Sequence, residues 1–112
     1  MPIDFRDGRA HPRSGQTVVE GYAWLARLSD KARAAQGGTN AQYSYPSRID
    51  LAVLKRWGLT VSEFDRAILE YPDDVELAAW LEGRVTREAR ERSNRWVKRK
   101  LWRTGAGAGG EG

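Results

Sequence analysis

Residues 47–83, SRIDLAVLKRWGLTVSEFDRAILEYPDDVELAAWLEG, decide the fold. Three apolar helical repeats follow one another here, and each starts and stops on residues with a physical reason to do so. Ser47 with Asp50 reads as an N-cap with an acid at the third helical position, and Ile49, Val53 and Trp57 then share one face. Gly58 suits the left-handed position after a helix, and Leu54 and Leu59 stand where a Schellman motif places its apolar contact. Thr60 and Glu63 form a capping box, flanked by Leu59 and Phe64 as a hydrophobic staple. Val61, Phe64, Ala67, Ile68 and Tyr71 recur at helical spacing until Pro72, which lacks the N–H a helix needs. Asp73 with Glu76 caps a further helix carrying Val75, Leu77, Ala78, Trp80 and Leu81, which Gly83 closes.

Outward from this stretch the same logic extends both ways. Upstream, Val18, Gly21, Tyr22, Trp24, Leu25, Leu28, Ala32 and Ala35 share one arc, with Glu20, Arg27, Asp30, Lys31 and Arg33 opposite. This spacing predicts an amphipathic helix over residues 17–36, ended by Gly37-Gly38. The connection TNAQYSYP, residues 39–46, has some extended character; Tyr43 and Tyr45 would then point the same way, with a short hairpin there as the alternative. Downstream, Thr86 caps a last helix reaching about Trp102. Residues 1–16 show no period and read as an irregular arm that Ile3 and Phe5 could pin to the core. Residues 104–112 form a Gly/Ala-rich tail expected to be flexible. The expected fold is all-α: a compact single-domain bundle of about five helices over residues 17–103, with an N-terminal arm.

Composition bounds the function. The 112 residues, 40% hydrophobic and 30% charged, suit one domain with a real core. Cysteine is absent, which excludes disulfides, thiolate metal sites and cysteine nucleophiles, and the single histidine, His11, excludes a multi-histidine metal site. No apolar run approaches the roughly 20 residues that span a bilayer. The first residues are polar and carry acids, unlike a secretory leader. A soluble cytoplasmic protein without cofactor, metal or membrane partner is expected. No catalytic residue stands out. His11 sits in a Pro/Arg/Gly-rich arm, whereas a general base needs fixed geometry. Neither a Gly-x-Ser-x-Gly elbow nor a phosphate-binding loop occurs. The acids Asp73, Asp74 and Glu76 read as helix capping rather than as a divalent-cation site.

Two ionic clusters remain as candidates. On the first helix, Arg27, Asp30, Lys31 and Arg33 lie on or near one polar face, where Asp30 can pair with Arg27 or Arg33. With Tyr43 and Tyr45 offering hydroxyls from the following loop, they could contact a protein or a small anionic ligand. Trp24, Trp57 and Trp80 are expected to converge in one dry interior, leaving this strip turned toward solvent or a guest. The second cluster is C-terminal. Residues 1–83 carry ten Lys/Arg against twelve Asp/Glu, whereas residues 84–103 carry nine against two. Arg87, Arg92, Arg95, Lys98 and Arg99 fall on one side of the last helix, with Trp102 in the same arc. Such a face can meet phosphates, and an exposed Trp102 could stack on a base or pack beneath an arginine. Glu88–Arg92 and Glu91–Arg95, both at i,i+4, can neutralise part of it without any ligand.

The string Trp24-Leu25-Ala26-Arg27-Leu28-Ser29-Asp30-Lys31-Ala32-Arg33, followed by Gly38, Tyr43-Ser44-Tyr45-Pro46, Asp50, Leu54 and Trp57-Gly58-Leu59, resembles a bacterial family of small proteins carrying a domain of unknown function. The opening Asp4-Phe5-Arg6-Asp7-Gly8 and Arg13-Ser14 resemble the start of that family, so the similarity covers roughly residues 4–96. The family often has proline where Ala26 stands, and without it this helix should be straighter. The basic density after Gly83 and the Gly-rich tail look particular to this chain. The resemblance implies an intracellular bacterial single-domain protein and brings no reaction, ligand or catalytic residue.

The expected function is therefore a non-enzymatic binding or interaction module acting through Arg27, Asp30, Lys31, Arg33, Tyr43 and Tyr45. The alternative is nucleic-acid or polyanion binding through Arg87, Arg92, Arg95, Lys98, Arg99 and Trp102. A small enzyme built on Arg27, Asp30 and Lys31 is the second alternative. Oligomeric state stays open.

Overall fold

The computed structural model describes residues 3–104, with side chains as far as Leu101. Five helices are present: α1 (Leu25–Gln36), α2 (Arg48–Trp57), α3 (Val61–Glu70), α4 (Asp74–Glu82) and α5 (Arg87–Thr104). A two-stranded antiparallel hairpin, β1 (Val18–Val19) and β2 (Tyr22–Ala23), precedes them, so the fold is mostly helical but not purely all-α.

Residues 47–83 fold as their caps dictate. Both capping boxes form: Ser47 with Asp50 before α2, and Thr60 with Glu63 before α3. Asp73 accepts from the amides of Val75 and Glu76 at the start of α4. At the end of α2, Gly58 takes a left-handed φ of 79° while the Leu59 amide donates to the Leu54 carbonyl, 2.9 Å away. With the Gly58 amide donating to the Lys55 carbonyl at 3.0 Å and with Leu54 and Leu59 buried, this completes the Schellman motif. Thr86 Oγ1 accepts from the Ala89 amide and caps α5.

The helix expected over residues 17–36 starts eight residues late, at Leu25. The residues before it form the hairpin. Val18 pairs with Ala23 and Val19 with Tyr22, across a two-residue turn in which Glu20 (φ 49°) and Gly21 (φ 87°) are both left-handed. That is the geometry of a type I′ turn, whose twist suits a tight hairpin. The β-branched pair Val18-Val19 and Gly21 are poor helix formers. Tertiary contacts settle the competition: one side chain of α5, Asn94, donates to the Gly21 carbonyl at 2.8 Å and accepts from the Ala23 amide at 3.0 Å. The apolar spacing of Val18, Tyr22 and Leu25 imitates a helical stripe by coincidence. The alternative hairpin at Tyr43 and Tyr45 does not form; residues 40–46 make turns.

Trp24 joins hairpin to helix in a left-handed conformation (φ 74°) that costs a non-glycine residue on the order of 1 kcal/mol or more. Three contacts hold it there. Its amide donates to the Gly15 carbonyl, its indole Nε1 donates to Asp50 Oδ1 at 2.8 Å, and its ring lies on Gly15 so closely that a Cβ there would fall 2.2 Å from a ring carbon.

The core gathers Tyr22, Trp24, Leu25, Leu28, Val53, Leu54, Trp57, Phe64, Leu77, Leu81, Val97 and Leu101. Trp57 meets the edge of Tyr22 at 5.5 Å. Trp24 and Trp57 are buried as expected, whereas Trp80 is only half-buried and lies beneath Arg84. Trp96 is likewise half-buried, with the Arg56 guanidinium 4.2 Å from its ring centre. The residues of the arm pack on the helices: Phe5 is buried, its amide donates to the Thr39 carbonyl, and Thr39 Oγ1 donates to the Ile3 carbonyl. No helix among the described residues is long and apolar enough to cross a membrane.

Candidate functional site

The ionic strip of α1 faces inward. Arg27 is 1% exposed, Asp30 8% and Lys31 0%, because the arm reaches α1 through Arg13, α3 and β1 pack against it, and Asp50 of α2 meets Lys31. The expectation of a solvent-facing strip is therefore overturned: α1 is central and buried on nearly every side. An amphipathic pattern normally leaves its polar face in water, but a polar face can be buried when each charge finds a partner.

Each charge does so outside its own helix. Lys31 Nζ lies 2.8 Å from Asp50 Oδ2 on α2, both side chains being fully buried, and it also donates to Ser47 Oγ. Asp50 is saturated: one oxygen accepts from the Trp24 indole, the other from Lys31 and from the Ser47 amide. The capping box of α2 is thus also the counter-ion of α1. Burial pushes the Lys31 ammonium below its ordinary pKa, and Asp50 partly offsets that. Asp30 finds its closest partner beyond its own helix. Arg13 of the arm grips both its oxygens and reaches on to Asp74 at the start of α4 at 2.7 Å. The hydrogen bonds from Arg13 to these two carboxylates raise the pKa of its guanidinium.

The remaining members of the predicted site also have structural partners. Arg27 lies between the rings of Trp24 and Tyr43, 5.8 Å from each, and donates to the Arg13 carbonyl. Arg33 donates to the carbonyls of Pro72 and Tyr71, where a cation complements the exposed end of α3. Tyr43 and Tyr45 part company instead of pointing together. Tyr43 meets His11 Nδ1 and the edge of Phe5, whereas the Tyr45 hydroxyl donates to Asp65 Oδ1 on α3 at 2.6 Å. Burial, then the bond to Asp65, pushes the Tyr45 hydroxyl above its ordinary pKa.

The C-terminal cluster has the opposite placement. On α5, Ser93, Val97 and Leu101 are buried, whereas Arg87, Arg92, Arg95, Lys98 and Arg99 are exposed on the other side. Arg87 pairs with Glu91 at 3.0 Å across one helical turn. Arg92, Arg95, Lys98 and Arg99 make no ion pair among the described residues. The Trp102 side chain lies outside the described residues. No group of three or more His, Cys, Asp or Glu among the described residues could hold a metal ion.

Three residues that organise α1 and the hairpin escape the sequence reading as such: Arg13, Asp50 and Asn94. Asp50 is legible as a cap, and nothing in its spacing betrays the second role. Arg13 and Asn94 reach partners 17 and 71 residues away, which no local period records.

This hairpin and five-helix chain, ionic at its centre and basic along its last helix, belongs to a recognised family. Residues 9–109 match the family described as a domain of unknown function (DUF5069), and the chain is a member of it. The match runs through α5, beyond the span that the motifs of α1 and α2 cover. No protein of curated function matches the chain.

Proposed function

We propose that the protein is a non-enzymatic binding module whose partner is a polyanion, nucleic acid first, held by the outer face of α5. The observation that carries this reading is the set of five exposed cations, Arg87, Arg92, Arg95, Lys98 and Arg99, aligned opposite the buried stripe of Ser93, Val97 and Leu101. Each phosphate that such a cation neutralises releases counter-ions condensed on the polyanion, and the gain is entropic and salt-dependent. The α1 cluster supports neither contact nor catalysis so well. Lys31 and Arg27 lie under the arm, and their charges are spent on Asp50 and on ring faces.

Titration with duplex DNA, duplex RNA and single strands at two salt concentrations tests this. Neutralising about five phosphates should weaken duplex binding by roughly two to three orders of magnitude between 50 and 200 mM salt. The variant R92E/R95E/R99E should lose most of the binding while keeping the fold. Binding that is absent at micromolar protein, or insensitive to salt, overturns the reading.

A further inference from the structure

The hairpin and α5 enclose a second feature, apart from the arginines of α5. Strand alternation turns Tyr22 into the core, and the cross-strand pair Val18 and Ala23 shares one face. Opposite them α5 presents Asn94, Val97, Lys98 and Leu101, a stripe at i, i+3, i+4 and i+7. Between the two lies a cavity of about 400 Å³, also lined by Gly15 and Gln16. Its volume is at the lower end of the roughly 300–1,000 Å³ that small-molecule sites span. Val18, Ala23, Val97 and Leu101 give it an aliphatic lining, with Gln16, Asn94 and Lys98 as its polar side chains, and Val18 is 59% exposed.

The polar groups of the cavity are unevenly available. The Asn94 amide is committed at both ends to the hairpin backbone. The Gly15 carbonyl already accepts from the Trp24 amide. Lys98 lines the cavity, is exposed, and makes no ion pair among the described residues. A mainly aliphatic trough whose one charged lining group is the Lys98 ammonium complements an aliphatic chain with one negative head. It does not suit a nucleobase, since the described lining has no aromatic face to stack on.

We infer that the groove between the β1–β2 hairpin and α5 binds a free straight-chain carboxylate of the fatty-acid class, its tail along Val18, Ala23, Val97 and Leu101 and its head at Lys98. The inference rests on apolar contacts that make no use of Arg92, Arg95 or Arg99, and Lys98 is the one cation it shares with the polyanion reading.

Calorimetric titration of the full chain with octanoate, decanoate and dodecanoate below their micellar concentrations tests it. Affinity should rise about fourfold per added methylene, hence roughly fifteenfold from one member of the series to the next, until the groove is full. Val18→Trp fills the groove from an exposed position and should abolish binding with the circular dichroism spectrum unchanged. Lys98→Met keeps the apolar stem and should weaken decanoate about fivefold, as an exposed ion pair would. Decyltrimethylammonium, with the same tail and the opposite charge, should bind more weakly than decanoate. The inference is overturned if dodecanoate does not bind or if affinity ignores chain length. It is equally overturned if Val18→Trp leaves binding intact, or if the cationic amphiphile binds as tightly as the carboxylate.

Discussion

α1 and α5 both carry clustered arginine, lysine and acid side chains, and the fold treats them in opposite ways. α1 carries its Arg27, Asp30 and Lys31 inside, each met by a group from a distant segment. α5 carries Arg92, Arg95, Lys98 and Arg99 outside. The difference lies in what the rest of the chain offers. Asp50 and Arg13 are placed to meet the charges of α1, and an ion leaves water only when such partners replace its hydration. The acids of α5 are Glu88 and Glu91 on the helix itself, and exposed i,i+4 pairs contribute only a few tenths of a kcal/mol. Charge density in a sequence therefore says little about exposure until the partner's address is known.

The comparison is broken most forcefully at Asp50. Asp50→Ala would leave the Lys31 ammonium buried without its counter-ion and the Trp24 indole without an acceptor. A loss of about 3–5 kcal/mol is expected in urea denaturation, a large share of the total stability of a domain this size. If Asp50→Ala costs under about 1 kcal/mol, the interior is wetter than described.

A second effect appears at alkaline pH. Burial, and then the bond to Glu82, pushes the Tyr22 hydroxyl up to about 12 from an ordinary value of 10. The neutral phenol is favoured in the folded state, so its contribution is complete below pH 10 and is lost as pH rises toward 12. That loss amounts to about 2 kcal/mol. Tyr45 acts in the same direction. Denaturation midpoints taken between pH 9 and 11.5 should fall less steeply in Tyr22→Phe than in the unaltered protein; equal slopes would place that phenol in water.

Arg13→Ala removes the clamp on Asp30 and Asp74. Because Arg13 is 40% exposed, the expected cost is only about 1–2 kcal/mol. Proteolysis within residues 3–16 should quicken as the arm loosens, and an unchanged cleavage rate would show that the arm is secured without the Arg13 clamp, by contacts such as those of Ile3 and Phe5. The smallest effect belongs to α5. Arg95→Ala should change stability by less than about 0.5 kcal/mol, while measurably lowering the salt dependence of polyanion binding.

Where local signals act alone, the sequence was sufficient. Ser47, Gly58, Thr60, Pro72 and Asp73 bound three helices because capping and proline stops operate within a few residues. The hairpin was hidden because Glu20-Gly21 is not among the favoured Asn-Gly or Asp-Gly turns, and because Asn94, which binds it, stands on α5. The inward side of α1 was hidden for a related reason. A helical wheel divides apolar from charged residues but carries no information on whether a second layer will cover the charged side. Thus Arg27, Asp30 and Lys31 drew attention as a distinctive string, and what the string encodes is a buried ionic joint between arm, α1 and α2. The placement of Arg92, Arg95, Lys98 and Arg99 was legible, because nothing from elsewhere in the described chain comes to meet them.

Two double-mutant cycles measured by urea unfolding compare the helices on one scale. For Lys31→Met, Asp50→Asn and the pair, where asparagine keeps an oxygen for the Trp24 indole, a coupling energy of at least about 2 kcal/mol is expected. For Arg87→Ala, Glu91→Ala and the pair, about 0.5 kcal/mol or less is expected. Two small and equal couplings would mean that the lysine of α1 is as well hydrated as the arginines of α5, contradicting the inward placement of its charges.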